Sequence, residues 1–530
     1  MNQKILLQTI LEAQQKQSTE LDLAGQELID LPEEMACLIH LEKLDLSSNM
    51  LFELPDVVCQ LPALRSLNLS HNYLKKLPDN FQQLQQLESL NLLSNELREC
   101  PSVLFRLSSL QQLLLGQNAI DEIPAEISQL QSLQKLDLNS NFLTHLADSF
   151  FALPALVYLN LDENELGILP EAIGQLKHLT HLMLRENGLK KLPASITTLT
   201  CLERLNLNNN RLVELPDNIG DLQALLRLDV YDNQLKILPT SLSQLQQLQR
   251  LDLSNNLITE LPAACYALTR LRWLDLYDNE LSELPTGIAK LSALIELDLS
   301  HNLFTELAQD IFHFPKLQRL DISYNAISQL PAGIEQLRQI LRLDFNGNEL
   351  AQLPLELFQL DTLQHLDLGY NLLNNLPKNI KLPDLRRFIL AGNELYHIPD
   401  CLDALPLLKR LDLSNNELGE LPASLAELQN LHTLEANGNM LHTYPLCLNQ
   451  LNHLQRLDLS NNQLTQVPAE LFILPRLQWL NLSSNQLRNL PSNLPGTATL
   501  RYLDMENNLL KNAALRAWAS WFGVDELNQE

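Results

Sequence analysis

An asparagine returns every 23 residues along most of this chain. It stands at 49, 72, 95 and onward to 371 without a break in spacing. After one 22-residue interval it continues at 393, 416, 439, 462, 485 and 508. Gln26 holds the same place 23 residues before Asn49, so 22 repeats are present. A 530-residue chain on such a period is not a row of globular domains with separate cores. It is an array in which each unit packs on its neighbours.

The second repeat shows the template. Counting Leu41 as position one, Leu44, Leu46, Asn49, Leu51 and Leu54 follow, then Pro55, Val58 and Leu61. The pattern is LxxLxLxxNxLxxLP, and 19 of the 26 prolines hold its final place. Ala147 and Ala308 replace proline there. The alternating LxL reads as a short strand with one buried side. A turn and a crossover follow each strand, so successive strands are parallel. The asparagine hydrogen-bonds turn backbones of adjoining repeats that would otherwise be buried and unpaired. Proline sets φ on the return leg, where no ladder N–H is needed. One repeat has no means of burying its own apolar side, so stacking supplies the core.

This template resembles the leucine-rich-repeat proteins of the 23-residue Leu-Pro class, which include intracellular scaffolds of the Ras-pathway type and bacterial proteins. The resemblance covers about residues 18–510. It implies an α/β solenoid: a horseshoe of about 22 repeats with its parallel β-sheet on the concave face and short helical or irregular convex segments. Open ends need covers. Residues 1–17 read as an N-terminal helical cap with Leu6, Ile10 and Ala13 on one side. Residues 511–530 read as a C-terminal helical cap and tail, with Asn512 as the helix start and Gly523 as its stop. Leu515, Trp518 and Phe522 would cover the last repeat. The one shortened repeat, near Lys381-Leu382-Pro383-Asp384, is expected to disturb its outer connection and leave the strand register intact.

The array offers little for catalysis. No GxxxxGK[ST], GxGxxG after a strand, HExxH or EF-hand loop occurs. His178 and His181 fall on different parts of one repeat and do not converge on a metal. Aspartates recur with the repeat, so they read as a solvated column rather than an acid–base pair. No cofactor, no metal and no enzymatic activity are expected. The seven cysteines are odd in number and form no CxxC, which reads as free thiols in a reducing compartment. Cys100 and Cys265 fall in apolar places of the template. Net charge is −27, which excludes polyanions as main ligands and favours a basic partner surface. No apolar stretch approaches the ~18 residues of a membrane span. The N-terminus does not read as a secretory signal. A cytoplasmic monomer is the expectation.

If LxxLxL is the strand, positions three, five, seven and eight face the concavity. Position five is Asp or Glu in fourteen repeats and Asn in five. Position three is rich in arginine, which predicts lateral ion-pair ladders. Aromatics are only 5% of the chain, yet Tyr231, Trp273, Tyr277, Tyr324 and Tyr370 fall on inner positions of the middle repeats. With Arg227, Arg250, Arg319 and Arg342 they form the leading candidate patch, because exposed Trp, Tyr and Arg are the usual hot-spot residues. Trp479 beside Tyr502 is a smaller candidate. The expected function is a non-catalytic protein-interaction scaffold binding a protein partner on the concave face. Its setting would be intracellular signalling, or a bacterial effector exported into a host cytosol without a classical signal peptide. Two other readings stay open: a regulatory or substrate-recognition subunit of an enzyme whose catalytic part is another chain, and an extracellular peptide or carbohydrate receptor.

Overall fold

The computed structural model of the chain describes residues 3–491 and 499–510. The expected C-terminal cap, with Trp518 and Phe522, lies outside the described residues. The chain divides into two compact units, Met1–Leu271 and Arg272–Glu530. Each unit is a stack of repeats with one three-residue strand per repeat. The first unit runs from the strand Glu20–Asp22 to Arg250–Asp252, and the second from Trp273–Asp275 to Tyr502–Asp504.

Strands pair in parallel, and like positions face each other. Leu21 pairs with Leu44 in the first unit, and Leu297 with Leu320 in the second. The register follows from burial. The leucines at positions one, four, six, eleven and fourteen are buried in repeat after repeat, as Leu41, Leu44, Leu46, Leu51 and Leu54 show. Val58 and Leu61 close the same core from the return leg. A slip of one residue would turn every one of these leucines to water.

The return leg is a 3-10 turn in nearly every repeat. Pro55 enters it with φ −63° and ψ 137°, and its carbonyl accepts from the Val58 N–H at 3.1 Å. Ala147 and Ala308 adopt the same conformation, with φ −68° and −62°, and their carbonyls accept from Phe150 and Ile311. Proline therefore favours this turn without being required for it. At the shortened repeat, no 3-10 turn forms between the strands His365–Asp367 and Arg387–Ile389. Their pairing stays in register, His365 with Arg387 and Leu366 with Phe388. The missing residue is absorbed outside the sheet, as the apolar pattern required. At the other end of the array, the helix Gln3–Gln15 buries Leu6, Ile10 and Ala13.

Within each unit the asparagine column forms a hydrogen-bond ladder. Asn49 Oδ1 accepts from the Gln26 and Leu28 N–H groups of the repeat before it, at 3.0 and 2.9 Å. Its Nδ2 donates back to the Leu23 and Leu46 carbonyls, both at 2.9 Å. One rung is irregular. Asn187 is buried, yet its Oδ1 has no hydrogen-bond partner. The preceding turn passes through Gly167 at φ +60°, and its N–H donates to the Asn187 carbonyl instead.

Position eight carries a feature that the pattern of leucines does not announce. In every repeat this residue is left-handed, with φ between +50° and +67°; it is glycine in four repeats (Gly25, Gly347, Gly392 and Gly438) and a non-glycine residue elsewhere. The turn needs this conformation because the position-eight N–H must reach the carbonyl of the next repeat, as Ser48 does to Ser70 at 2.8 Å. An L-residue there gives up about 1–2 kcal/mol.

Candidate functional site

The predicted site residues divide between the two units. In the first unit, Arg227 and Arg250 converge on one carboxylate. Arg227 Nε lies 2.5 Å from Asp229 Oδ2, and Arg250 Nε lies 3.3 Å from Asp229 Oδ1. Asp229 is buried, so the two guanidinium groups neutralise a charge that would otherwise sit in the wall of the sheet. Tyr231 is half-buried on the same strand exit, and its N–H donates to Asn208 Oδ1.

The second unit holds Trp273, Tyr277, Arg319, Tyr324, Arg342 and Tyr370. Tyr277, His301 and Tyr324 form a row across three successive repeats. The Tyr277 and His301 rings meet edge to face at 5.0 Å, and His301 and Tyr324 stack at 4.3 Å. Tyr324 is 52% exposed and Tyr370 57% exposed, both in the left-handed conformation. Each of these tyrosines has a glycine one repeat on. A Cβ at Gly347 would stand 2.9 Å from the Tyr324 ring, and one at Gly392 would stand 2.7 Å from the Tyr370 ring. Gly347 and Gly392 thus supply flat backbone seats against which the rings lie. Sequence reasoning missed His301, Gly347 and Gly392. The available signal was a glycine in the tyrosine column one repeat later.

Beside this row, Trp273, Asp298, Arg319, Asp321 and Arg342 line a shallow depression of about 200 Å³. Arg319 points to Glu296 at 3.6 Å and Arg342 to Asp344 at 3.1 Å. The arginine ladder is therefore partly lateral, as with Arg319, and partly within a strand, as with Arg342. Elsewhere in this unit Trp479 and Tyr502 stack at 5.0 Å, with the Arg456 guanidinium 3.5 Å above the indole.

The acidic column is not the solvated face expected of it. Asp229, Asp252, Asp344, Asp412 and Asp458 are buried. Many of these carboxylates turn back onto their own strand exit, as Asp412 Oδ1 does to the Ser414 N–H and hydroxyl. Burial pushes the Asp298, Asp321, Asp344 and Asp367 carboxyls above their ordinary range, and in the first three the next aspartate along the column adds to it.

The register also gathers groups that no motif search along the chain finds. Asp344, His365 and Asp367 place ligand atoms within 4.8 Å of one another. An imidazole and two carboxylates have the chemistry for a divalent cation. Positive charge is already supplied there: Arg342 Nη2 bonds Asp344 Oδ2 at 3.1 Å. Burial, with Arg342, Arg387 and Arg410, pushes His365 down to about 4, so the ring is neutral near pH 7.

Asp162 in the first unit gives a pH prediction. Burial pushes its carboxyl up to about 6, against the opposing bond from the Arg185 N–H. A folded pKa above the unfolded one means that the folded chain holds the extra proton between about pH 4 and 6. That contribution to stability is present at low pH and lost as pH rises through this window. Asp162→Asn, which keeps an acceptor for Arg185, should be more stable than wild type at pH 7.5, with the gap closing by pH 4. Urea unfolding at the two pH values reads it; a gap that stays constant contradicts the assignment.

The comparisons agree with this architecture. A leucine-rich-repeat model matches residues 19–74, 39–97, 108–166, 223–281, 247–304, 292–350 and 452–510. A leucine-rich-repeat region matches 147–231, and a single-repeat model matches 407–428. The chain belongs to the leucine-rich-repeat family. Among solved structures, the Leptospira interrogans leucine-rich-repeat protein LIC12759 is 31% identical, over 88% of this chain and 97% of that one, with a TM-score of 0.52. YopM from Yersinia enterocolitica is 29% identical over 94% of each chain, with a TM-score of 0.65. The plant peptide hormone receptor RGFR1, solved in complex with RGF2, is 27% identical over 97% of this chain and 95% of that one, with a TM-score of 0.66. No curated protein matches the sequence. Among the described residues, no helix is long and apolar enough to cross a membrane.

Proposed function

We propose that the chain is a non-catalytic scaffold that binds a protein partner on the strand side of its second unit, with Trp273, Tyr277 and Tyr324 as anchors. The observation that carries this reading is the row Tyr277–His301–Tyr324, with Tyr324 seated on Gly347. Aromatic side chains held in place before binding lose little freedom when a partner arrives. The plant receptor solved with a peptide hormone supports an extended segment as one form such a partner takes.

Affinity capture tests this by comparing wild type with the Trp273→Ala/Tyr277→Ala variant, with cross-links mapped on the retained complexes. Loss of two anchors worth about 2 kcal/mol each should lower retention more than tenfold. Equal recovery, or cross-links confined to the 3-10 side, would remove the proposal.

A further inference from the structure

Eight repeats carry arginine at position three, and six of these side chains are ion-paired: Arg227, Arg250, Arg319, Arg342, Arg410 and Arg456. Arg204 and Arg387 are exposed, and their side chains make no hydrogen bond or ion pair among the described residues. The cause is one column away. Every paired arginine has an aspartate at position five of its own strand, whereas Arg204 has Asn206 there and Arg387 has Ile389.

The repeats beside Arg387 do not supply the missing carboxylate. Asp367 Oδ1 accepts from the Gly369 N–H at 2.9 Å and from the Asn346 amide at 3.2 Å, and the cation that acts on it is Arg342. On the other side, Asp412 and Glu435 are taken by Arg410 Nη2 at 3.5 and 2.7 Å. What does stand beside Arg387 is a donor and an apolar surface. His365 is its Cα partner on the preceding strand, about 4.8 Å away by strand spacing. Arg387 is near enough to act on that ring, and the ring makes no hydrogen bond among the described residues. Ile389 lies two residues along the same strand, so it shares the face and is half-buried. Arg204 lacks both features: the His181 ring is tied to the Thr180 hydroxyl at 2.8 Å, and position five is an amide.

An unpaired guanidinium offers two parallel N–H donors, which match a carboxylate. A ring N–H one strand away adds a third donor. A methylene stem attached to that carboxylate finds apolar surface only toward position five, where this strand has a side chain of the right kind. We propose that Arg387, His365 and Ile389 form a seat for one acidic side chain of the protein partner, its carboxylate held by the guanidinium and the ring N–H and its stem lying on Ile389. The proposal deepens the scaffold reading and rests on it for the ligand being part of a protein. The net charge of −27 still favours a partner that is basic as a whole. The seat adds a specific demand for one acid within it.

The test uses the full chain labelled with 15N-arginine. It is titrated with N-acetyl-glutamate methylamide and, separately, with the uncharged N-acetyl-glutamine methylamide. Ionic strength is held near 0.15 M, which screens the chain's net charge beyond ~8 Å. The Arg387 Nε resonance is assigned from Arg387→Lys, and the Arg204 resonance, assigned from Arg204→Lys, serves as an internal reference. The glutamate probe should shift Arg387 at a concentration about tenfold or more below that of the glutamine probe, and should shift it further than Arg204. Ile389→Asp restores the acid that the six paired arginines have, and should remove most of the response. An unshifted Arg387 resonance, an equal response to glutamine, an equal shift at Arg204, or a response undiminished by Ile389→Asp would overturn the seat. Failure of the scaffold reading looks different. If Trp273→Ala/Tyr277→Ala loses partner capture while Arg387 is silent, the seat alone is wrong. If capture is unchanged while the glutamate probe binds at Arg387, the seat stands and the aromatic anchors of the scaffold reading fail.

Discussion

Phe345→Ala is expected to destabilise the second unit by about 4 kcal/mol, the range for a large buried aromatic cut back to a methyl group. Phe345 is fully buried at position six, where the repeats on either side carry Ile322 and Leu368. The ring lies between two neighbours along the stack, so its removal leaves a void that neither can fill without leaving its own register. Because each repeat contacts its neighbours in sequence order, the loss should be local before it is global. Hydrogen exchange should show faster opening of the strands Arg319–Asp321, Arg342–Asp344 and His365–Asp367. An unfolding free energy from urea titration within about 1 kcal/mol of wild type would mean that the repeats relax around the gap far more freely than a close-packed core allows.

The second large effect belongs to the asparagine ladder. Asn210→Ala is expected to cost about 3 kcal/mol. Asn210 Oδ1 accepts from the Asn187 and Leu189 N–H groups at 3.1 and 3.0 Å. Its Nδ2 donates to the Leu184, Leu207 and Asn208 carbonyls at 2.9, 2.9 and 3.1 Å. Alanine leaves two buried N–H groups without an acceptor, and each such group costs about 1–3 kcal/mol. Asn210→Asp separates the two halves of this ladder: it keeps the acceptor for both N–H groups but points a carboxylate at carbonyls that need a donor. It should be at least as damaging as alanine above its own pKa and recover partly in acid. Urea unfolding of both variants, with circular dichroism as readout, distinguishes this from a simple loss of volume, for which aspartate would be the milder change.

These two predictions rest on columns that are visible in the sequence. The 23-residue spacing names the asparagine, and the leucine alternation gives the strand and its parallel register. The outer turn of the shortened repeat was legible too, because the apolar pattern left it nowhere else to absorb the deletion. Tyr324 and Tyr370 were legible as outliers on an inner position. Their seats were not, because Gly347 and Gly392 lie one whole repeat away and matter only through an absent Cβ. His301 looked like any of the scattered histidines until the register placed it between Tyr277 and Tyr324. The aspartate column was misread as solvated, because a strand pattern says which way a carboxylate points and not how deeply its neighbours enclose it.

The sequence by itself determined the repeat, its count, its register and its buried ladder, since each is a periodic property that every copy restates. Only the tertiary structure decided which arginine pairs with which aspartate, which rings stack, and how deeply each carboxylate is enclosed. The physical reason is distance along the chain. Those partners sit about one repeat apart and meet through side-chain conformations that the period leaves free, so the same arginine column that clasps Asp229 from two sides turns at Arg319 to Glu296 instead.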